Sequence, residues 1–335
     1  MTTSRAERSL GERVLVTGAG GFIGSHLIEA ALGAGASVRA FVRYNSRNDY
    51  GWLEALPAEL LEEVDVFRGD LCNPEAVAAA LSGCTTVLHL GALVPIPYSY
   101  RHPREFVATN VVGTLNLLEA ARRSDVGRIV HTSTSEVYGT PRAVPIGEDH
   151  PLQAQSPYAA SKVGADQLAL SYWRSFETPV VIVRPFNTFG PRQSARAVVP
   201  TVVMQALAGE RVELGATWPT RDFLFVTDTA AGMLRCAQVA GIEGEVINLG
   251  TGVEASVGEV VERVGELVGR RLDVVAASGR LRPPASEVQR LVCDAGKARA
   301  LLGWRPEVDL AEGLRRTVEW IGTSLSVYKL SIYNQ

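Results

Sequence analysis

At 335 residues the chain exceeds what one hydrophobic core ordinarily organises, so a large α/β domain with a smaller attached lobe is expected. With 46% hydrophobic and 21% charged residues and a net charge of −3, the composition excludes a disordered chain and a global basic footprint for nucleic acid. Four scattered cysteines and five histidines without ligand spacing argue against a disulfide framework and a metal site.

Met1–Glu12 is polar, without the apolar core of a signal peptide, and the longest apolar runs further on are strand-length. A cytoplasmic protein with no membrane partner is therefore expected. Six β-branched runs then alternate with helix-length amphipathic stretches, at 13–17, 37–42, 64–67, 86–90, 128–131 and 180–183. Near-continuous apolar strands separated by helices imply a parallel sheet covered on both faces, a doubly wound Rossmann-like α/β fold. A run at 245–249 is expected to add a further strand.

Directly after the first run comes Gly18-Ala19-Gly20-Gly21-Phe22-Ile23-Gly24. Glycine at 18, 21 and 24 permits a tight turn, close approach of a pyrophosphate and close helix–strand packing. The helix that follows offers free amides and a partial positive charge at its N-terminus. A dinucleotide is therefore expected on Gly18, Gly21, Phe22, Ile23 and Gly24. The second strand ends in Val42-Arg43, where an acidic residue would select a ribose 2′-hydroxyl. Arg43, with Arg47 close behind, suits a 2′-phosphate instead and favours NADP over NAD. Asp70, after the third strand, is placed to hold the adenine amino group or to act as a loop cap.

Thr134, Ser135 and Glu136 follow the fifth run and emerge at the carboxyl edge of the sheet, where doubly wound folds bind ligands. Tyr158 and Lys162 follow Pro157 at i, i+4 spacing, which puts both on one face of a helix. An ammonium beside a phenol stabilises the phenolate and lowers the tyrosine pKa. A hydroxyl, a carboxylate and an activated phenol together suit oxidation of an alcohol followed by removal of the acidified neighbouring proton. Glu136 therefore points to dehydration.

Beyond Pro185 glycine, proline and arginine cluster in loops, with helices expected at 257–268 and 310–321. The expected organisation is a dinucleotide-binding domain over 12–186 with a returning segment near 223–250. A lid-like second lobe takes 187–222 and 251–322, and the tail 323–335 is expected to fray. Guanidinium forks suit bidentate phosphate contacts, so Arg192, Arg196, Arg221 and Arg282 are candidates for anchoring a diphosphate. Tyr98 and Tyr100 are candidates for lining the substrate pocket or for aromatic core packing.

These motifs give the chain a resemblance, over nearly its whole length, to the extended short-chain dehydrogenases/reductases acting on nucleotide sugars. It rests on Gly18–Gly24, His89-Leu90-Gly91-Ala92, Asn110-Val111-Val112-Gly113-Thr114, Ser133–Gly139, Tyr158–Lys162 and Arg184-Pro185-Phe186-Asn187. Within that family Thr-Ser-Glu is similar to the GDP-mannose 4,6-dehydratases, and the run His131–Thr140 resembles the 4,6-dehydratases of legionaminic-acid pathways. The resemblance implies tightly bound NAD(P)+ and a substrate that is a nucleotide-diphosphate sugar. Cofactor contacts would include Leu71, Leu90, Ala92, Tyr158 and Lys162, and sugar-nucleotide contacts Asn110 and Asn187.

By the same resemblance Thr134 orients the sugar, Tyr158 takes the C4 hydroxyl proton and Glu136 the C5 proton. The product would be a 4-keto-6-deoxy sugar. Ser135 departs from the aspartic acid that protonates the leaving C6 hydroxyl in Thr-Asp-Glu enzymes, which leaves Glu136, water or Ser135 itself for that task. A 4-epimerase or a 5,6-dehydratase of the same fold are the alternatives; a non-enzymatic dinucleotide sensor has no need of Thr134, Tyr158 and Lys162 together. A homodimer through the apolar stretches 111–121 and 163–169 is a further implication.

Overall fold

Seven parallel strands form the main sheet of the computed structural model, which describes residues 6–10, 13–277, 280 and 283–328. In chain order the strands are β1 (Arg13–Thr17), β2 (Ser37–Arg43), β3 (Val64–Gly69), β4 (Thr86–His89), β5 (Arg128–Thr132), β6 (Val180–Pro185), β7 (Asn187–Phe189), β8 (Arg211–Leu214), β9 (Thr220–Phe225), β10 (Val246–Leu249), β11 (Glu254–Ser256), β12 (Asp273–Ala276) and β13 (Arg290–Leu291). The order β10-β6-β5-β4-β1-β2-β3 reverses direction between β1 and β4. Such a reversal leaves a crevice at the carboxyl ends of the strands. The register levels those ends: Thr17 pairs with His89, His89 with His131, and Thr132 with Val183.

Each expected run became a strand, shifted by no more than a residue or two at its ends. β4 and β6 are buried throughout, as strands covered on both faces must be. One face carries helices Phe22–Gly33 and Val226–Gln238, which pack on each other beneath Val14, Val16, Val130 and Val181. The opposite face carries Pro74–Leu81, Gly113–Arg122 and Pro157–Phe176 over Leu15, Val87 and Ile129.

A second apolar core lies above the carboxyl edge, among helices Val198–Ala208, Val257–Val268 and Leu310–Thr323. The middle helix starts from a capping box, Ser256 with Glu259, and its apolar residues Val257, Val260, Val261 and Val264 all turn inward. A small sheet, β11-β9-β13 with β7 against β9, links the two cores, because β7 leaves β6 after a single intervening residue.

The tail expectation needs correcting at its first residues. Tyr328 is buried, donates to the Gln193 carbonyl at 2.9 Å, and packs with Trp52 and Trp320. An aromatic ring at the end of helix Leu310–Thr323 has found an apolar bay that the local sequence does not announce. Residues 329–335 lie outside the described residues. Among the described residues no helix is long and apolar enough to cross a membrane.

Candidate active site

The glycine loop turns from β1 straight into helix Phe22–Gly33. Gly18 holds φ at +69°, and a methyl group there would stand 2.8 Å from the Gly91 nitrogen. A methyl group on Gly24 would overlap the Gly18 carbonyl. No side chain caps the helix, so its first amides are left to a ligand. This bare, narrow cradle fits a pyrophosphate, and Gly18, Gly21, Phe22, Ile23 and Gly24 all line one large cleft with Arg43, Leu90 and Ala92.

The cleft has a volume of about 1000 Å³ and runs from the glycine loop across the strand ends into the second lobe. Thr134, Ser135, Glu136, Tyr158 and Lys162 line its middle, and Asn187, Arg196 and Arg221 its far side. Thr134 continues β5 in extended conformation and accepts from the Glu136 amide at 3.2 Å, capping a short turn over Ser135–Tyr138. Val137 and Tyr138 are fully buried beneath that turn, and Gln153 donates to the Val137 carbonyl at 2.9 Å. Gly139 follows at φ +61°, where a methyl group would overlap the Gln153 carbonyl. The turn is thereby fixed, with Glu136 half-buried on its cleft side.

Ser156 caps helix Pro157–Phe176 by accepting from the Ala159 amide at 3.1 Å, with Pro157 in the first turn. Tyr158, Lys162 and Asp166 recur at intervals of four and are all buried. Lys162 donates to the Thr132 carbonyl at 2.6 Å. Burial lowers its pKa to about 8, against the pull of Asp166 in the other direction. Burial pushes the Tyr158 phenol well up, the Thr134 hydroxyl and the Arg196 guanidinium act against that, and the Glu136 and Asp166 carboxylates reinforce it. The lowering expected for this phenol is opposed by its burial. Desolvation outweighs the nearby positive charges, and the lysine is turned to a backbone carbonyl.

Several expected contacts lie elsewhere. Arg192 adopts φ +68°, points away from the cleft, and forms a two-pronged pair with Glu29 at 2.9 Å on the glycine-loop helix. Its role is to hold the second lobe to that helix. Replacement of Arg192 by Ala is expected to cost about 1–3 kcal/mol of stability, the range for losing a charged buried hydrogen-bond partner. Thermal unfolding measures it, and the KM for a sugar nucleotide should not change. Asn110 is buried behind the cleft, clamping the Leu93 amide at 2.7 Å and the Ser161 hydroxyl at 2.9 Å.

Tyr98 donates to Glu105 at 2.8 Å and packs on Phe106, while Tyr100, two residues on, lines the cleft. Asp70 accepts from the Cys72 amide at 2.9 Å as a loop cap, and Leu71 is buried in the core; neither lines the cleft. Arg282 lies outside the described residues.

Arg221 does line the cleft, but its Nη2 also stands 3.3 Å from Glu287. Asn187 presents a buried Oδ1 with no hydrogen-bond partner among the described residues, an acceptor left for a ligand. Tyr100 lines the cleft as expected, Glu287 is the ion-pair partner that the sequence offered for Arg221, and sequence reasoning missed Asp166. Asp166 had a local signal, since it continues the four-residue interval of Tyr158 and Lys162. Among the described residues no group of His, Cys, Asp or Glu could hold a metal ion.

A family model described as GDP-mannose 4,6 dehydratase matches residues 15–317. A dTDP-glucose 4,6-dehydratase of an Actinoplanes species is 35% identical over 314 residues, covering 92% of this chain and 97% of its own. A UDP-glucose 4-epimerase of Mycolicibacterium smegmatis is equally similar, 35% identical over 316 residues, with 92% and 98% covered. Among solved structures, MoeE5 in complex with UDP-glucuronic acid and NAD superposes with a TM-score of 0.83 at 33% identity, covering 94% of this chain and all of its own. The fold agrees with that structure over nearly the whole chain. The chain belongs to the GDP-mannose 4,6-dehydratase family, among the NAD-dependent nucleotide-sugar epimerases and dehydratases of the extended short-chain dehydrogenase/reductase type.

Proposed function

We propose that the protein is a nucleotide-sugar 4,6-dehydratase that converts an NDP-hexose or NDP-N-acetylhexosamine to its 4-keto-6-deoxy form. The observation that carries this reading is Glu136, a half-buried carboxylate in the same cleft as Thr134, Tyr158 and Lys162. An epimerase needs the phenol and the lysine but has no proton for that carboxylate to move.

Gly18, Gly21, Phe22, Ile23 and Gly24 would hold NAD, which would supply reversible hydride acceptance for C4 and C6. Tyr158 takes the proton from the C4 hydroxyl, with Thr134 orienting that hydroxyl and Lys162 supplying positive charge beneath it. The resulting ketone acidifies C5, and Glu136 removes the C5 proton. The same carboxyl group then gives its proton to the C6 hydroxyl, which leaves as water, so no second acid is required at Ser135. The proton taken from C4 oxygen balances the one restored to C5. Arg221, Arg196 and Asn187 face the substrate side of the cleft and hold the diphosphate and sugar. Arg43 lies at the ribose end, and comparing NAD+ with NADP+ binding tests its part in cofactor choice. A homodimer through helices Gly113–Arg122 and Pro157–Phe176 accompanies this reading.

The Mycolicibacterium relative supports a second reading, 4-epimerisation, in which Glu136 is idle. Mass spectrometry separates the two. Incubated separately with GDP-mannose, UDP- and GDP-N-acetylglucosamine, and UDP- and dTDP-glucose, the protein is expected to yield a product lighter by one water with one of them. An unchanged mass with a new chromatographic peak would assign epimerisation instead.

A further inference from the structure

Beneath the cleft lies a layer of buried charge that the proposed chemistry does not use. Asp166 is fully buried, one turn after Lys162 on the same helix face. Its Oδ2 accepts from Ser133 Oγ at 2.8 Å and from Arg184 at 2.9 and 3.2 Å. Its Oδ1 stands 3.4 Å from His131 Nε2, where neither atom completes a hydrogen bond. Arg184 donates onward to the Tyr138 hydroxyl at 3.0 Å, under the turn that carries Glu136. A buried carboxylate is costly unless donors converge on it, and here they come from Ser133 at the strand end and from Arg184 on β6.

We propose that Asp166 is the positioning residue of this site: its carboxylate keeps Lys162 as the ammonium ion and ties the Ser133–Glu136 segment to the helix that carries Tyr158. The inference deepens the proposed dehydratase reading and rests on it for the importance of Lys162, but not for its test.

Two titratable groups besides Asp166 feel the charge of the lysine from the strands beneath it, His89 on β4 and His131 on β5, while Arg184 on β6 engages Asp166 from the other side. Burial holds both imidazoles below their ordinary pKa, with the charge of Lys162 adding to that, so neither brings a compensating negative charge. Burial works against the Asp166 carboxylate too, yet His131 and Arg184 hold its pKa below the ordinary value, so it stays ionised. Asp166 is thus the anion that offsets the desolvation of Lys162. Without it, a dry ammonium facing a neutral imidazole layer would lose its proton nearer neutrality.

The chain offers an uncluttered readout, because only Lys162, Lys297 and Lys329 are lysines among 33 basic residues. With lysine side chains isotopically labelled, nuclear magnetic resonance can follow three amines through a pH titration, with and without NAD+ and with no substrate. Lys162→Met identifies the resonance in question.

In Asp166→Asn the Lys162 transition is expected to move to lower pH by about one unit or more, the usual effect of removing a close opposite charge. Lys297, paired with Glu245 elsewhere on the molecule, should not move. Thermal unfolding is recorded alongside. Should Asp166→Asn not fold, Arg184→Gln serves, and freeing the carboxylate of its competitor should move the Lys162 transition upward. A folded variant in which the Lys162 transition stays in place overturns the proposal. Failure of every sugar nucleotide to react would sink the dehydratase reading and leave this titration standing.

Discussion

Tyr158→Phe is expected to lower turnover by about 10²–10⁴-fold, the contribution typical of one positioned acid–base group, while NAD binding survives. The ring is buried against Phe106 with centroids 6.3 Å apart, and phenylalanine fills the same space, so packing and the cofactor cradle should be untouched. What disappears is the single oxygen that Thr134 and Arg196 act upon. Calorimetric titration with NAD+ and steady-state turnover on the accepted sugar nucleotide measure the two halves. Undiminished turnover would remove Tyr158 from the chemistry altogether. Both the dehydratase and the epimerase reading require the loss, so this variant tests what they share.

Glu136→Gln separates them. Glutamine keeps the size of the side chain, and Val137, Tyr138 and the Gln153–Val137 backbone bond anchor the turn. It cannot accept the C5 proton, so release of water should fall by about 10²–10⁴-fold. Oxidation at C4 does not use the group and should continue, leaving reduced cofactor to accumulate at its near-ultraviolet absorbance band. Normal formation of the dehydrated product would refute the role of the carboxylate. Unimpaired interconversion of C4 epimers, with no loss of water in either protein, would establish the epimerase.

Much of this was legible before any coordinates. Parallel strands buried on both faces must be nearly all apolar, so β1 to β6 announced themselves, and β10 did so from a single β-branched run. The glycine loop and the Tyr158–Lys162 pair were legible because their meaning lies in short spacings that a turn or a helix enforces. What was hidden depends on where a side chain points in three dimensions. Arg192 and Arg196 sit four residues apart in one loop, yet the left-handed backbone at Arg192 swings it to Glu29, while Arg196 faces the cleft. Of the two tyrosines expected at the pocket, Tyr100 lines the cleft while Tyr98 turns to Glu105 and Phe106.

Asn110 carried a family resemblance, but its amide is fully occupied by the backbone of Leu93 and by Ser161, so what it provides is rigidity behind the site. The phenol pKa was misjudged because a helical spacing shows that two groups can meet. It does not show what burial costs one of them, nor which carbonyl the other will choose.

The aromatic bay formed by Trp52, Trp320 and Tyr328 couples distant parts of the chain in time as well as in space. The Trp52 amide donates to the Gly20 carbonyl at 2.9 Å, so the bay braces the glycine loop. The loop and Trp52 leave the ribosome long before Trp320 and Tyr328. A nascent chain would therefore carry an unbraced glycine loop until Trp320 and Tyr328 emerge, and a chain cut short before residue 320 would be left with a loop of the right sequence and no brace behind it.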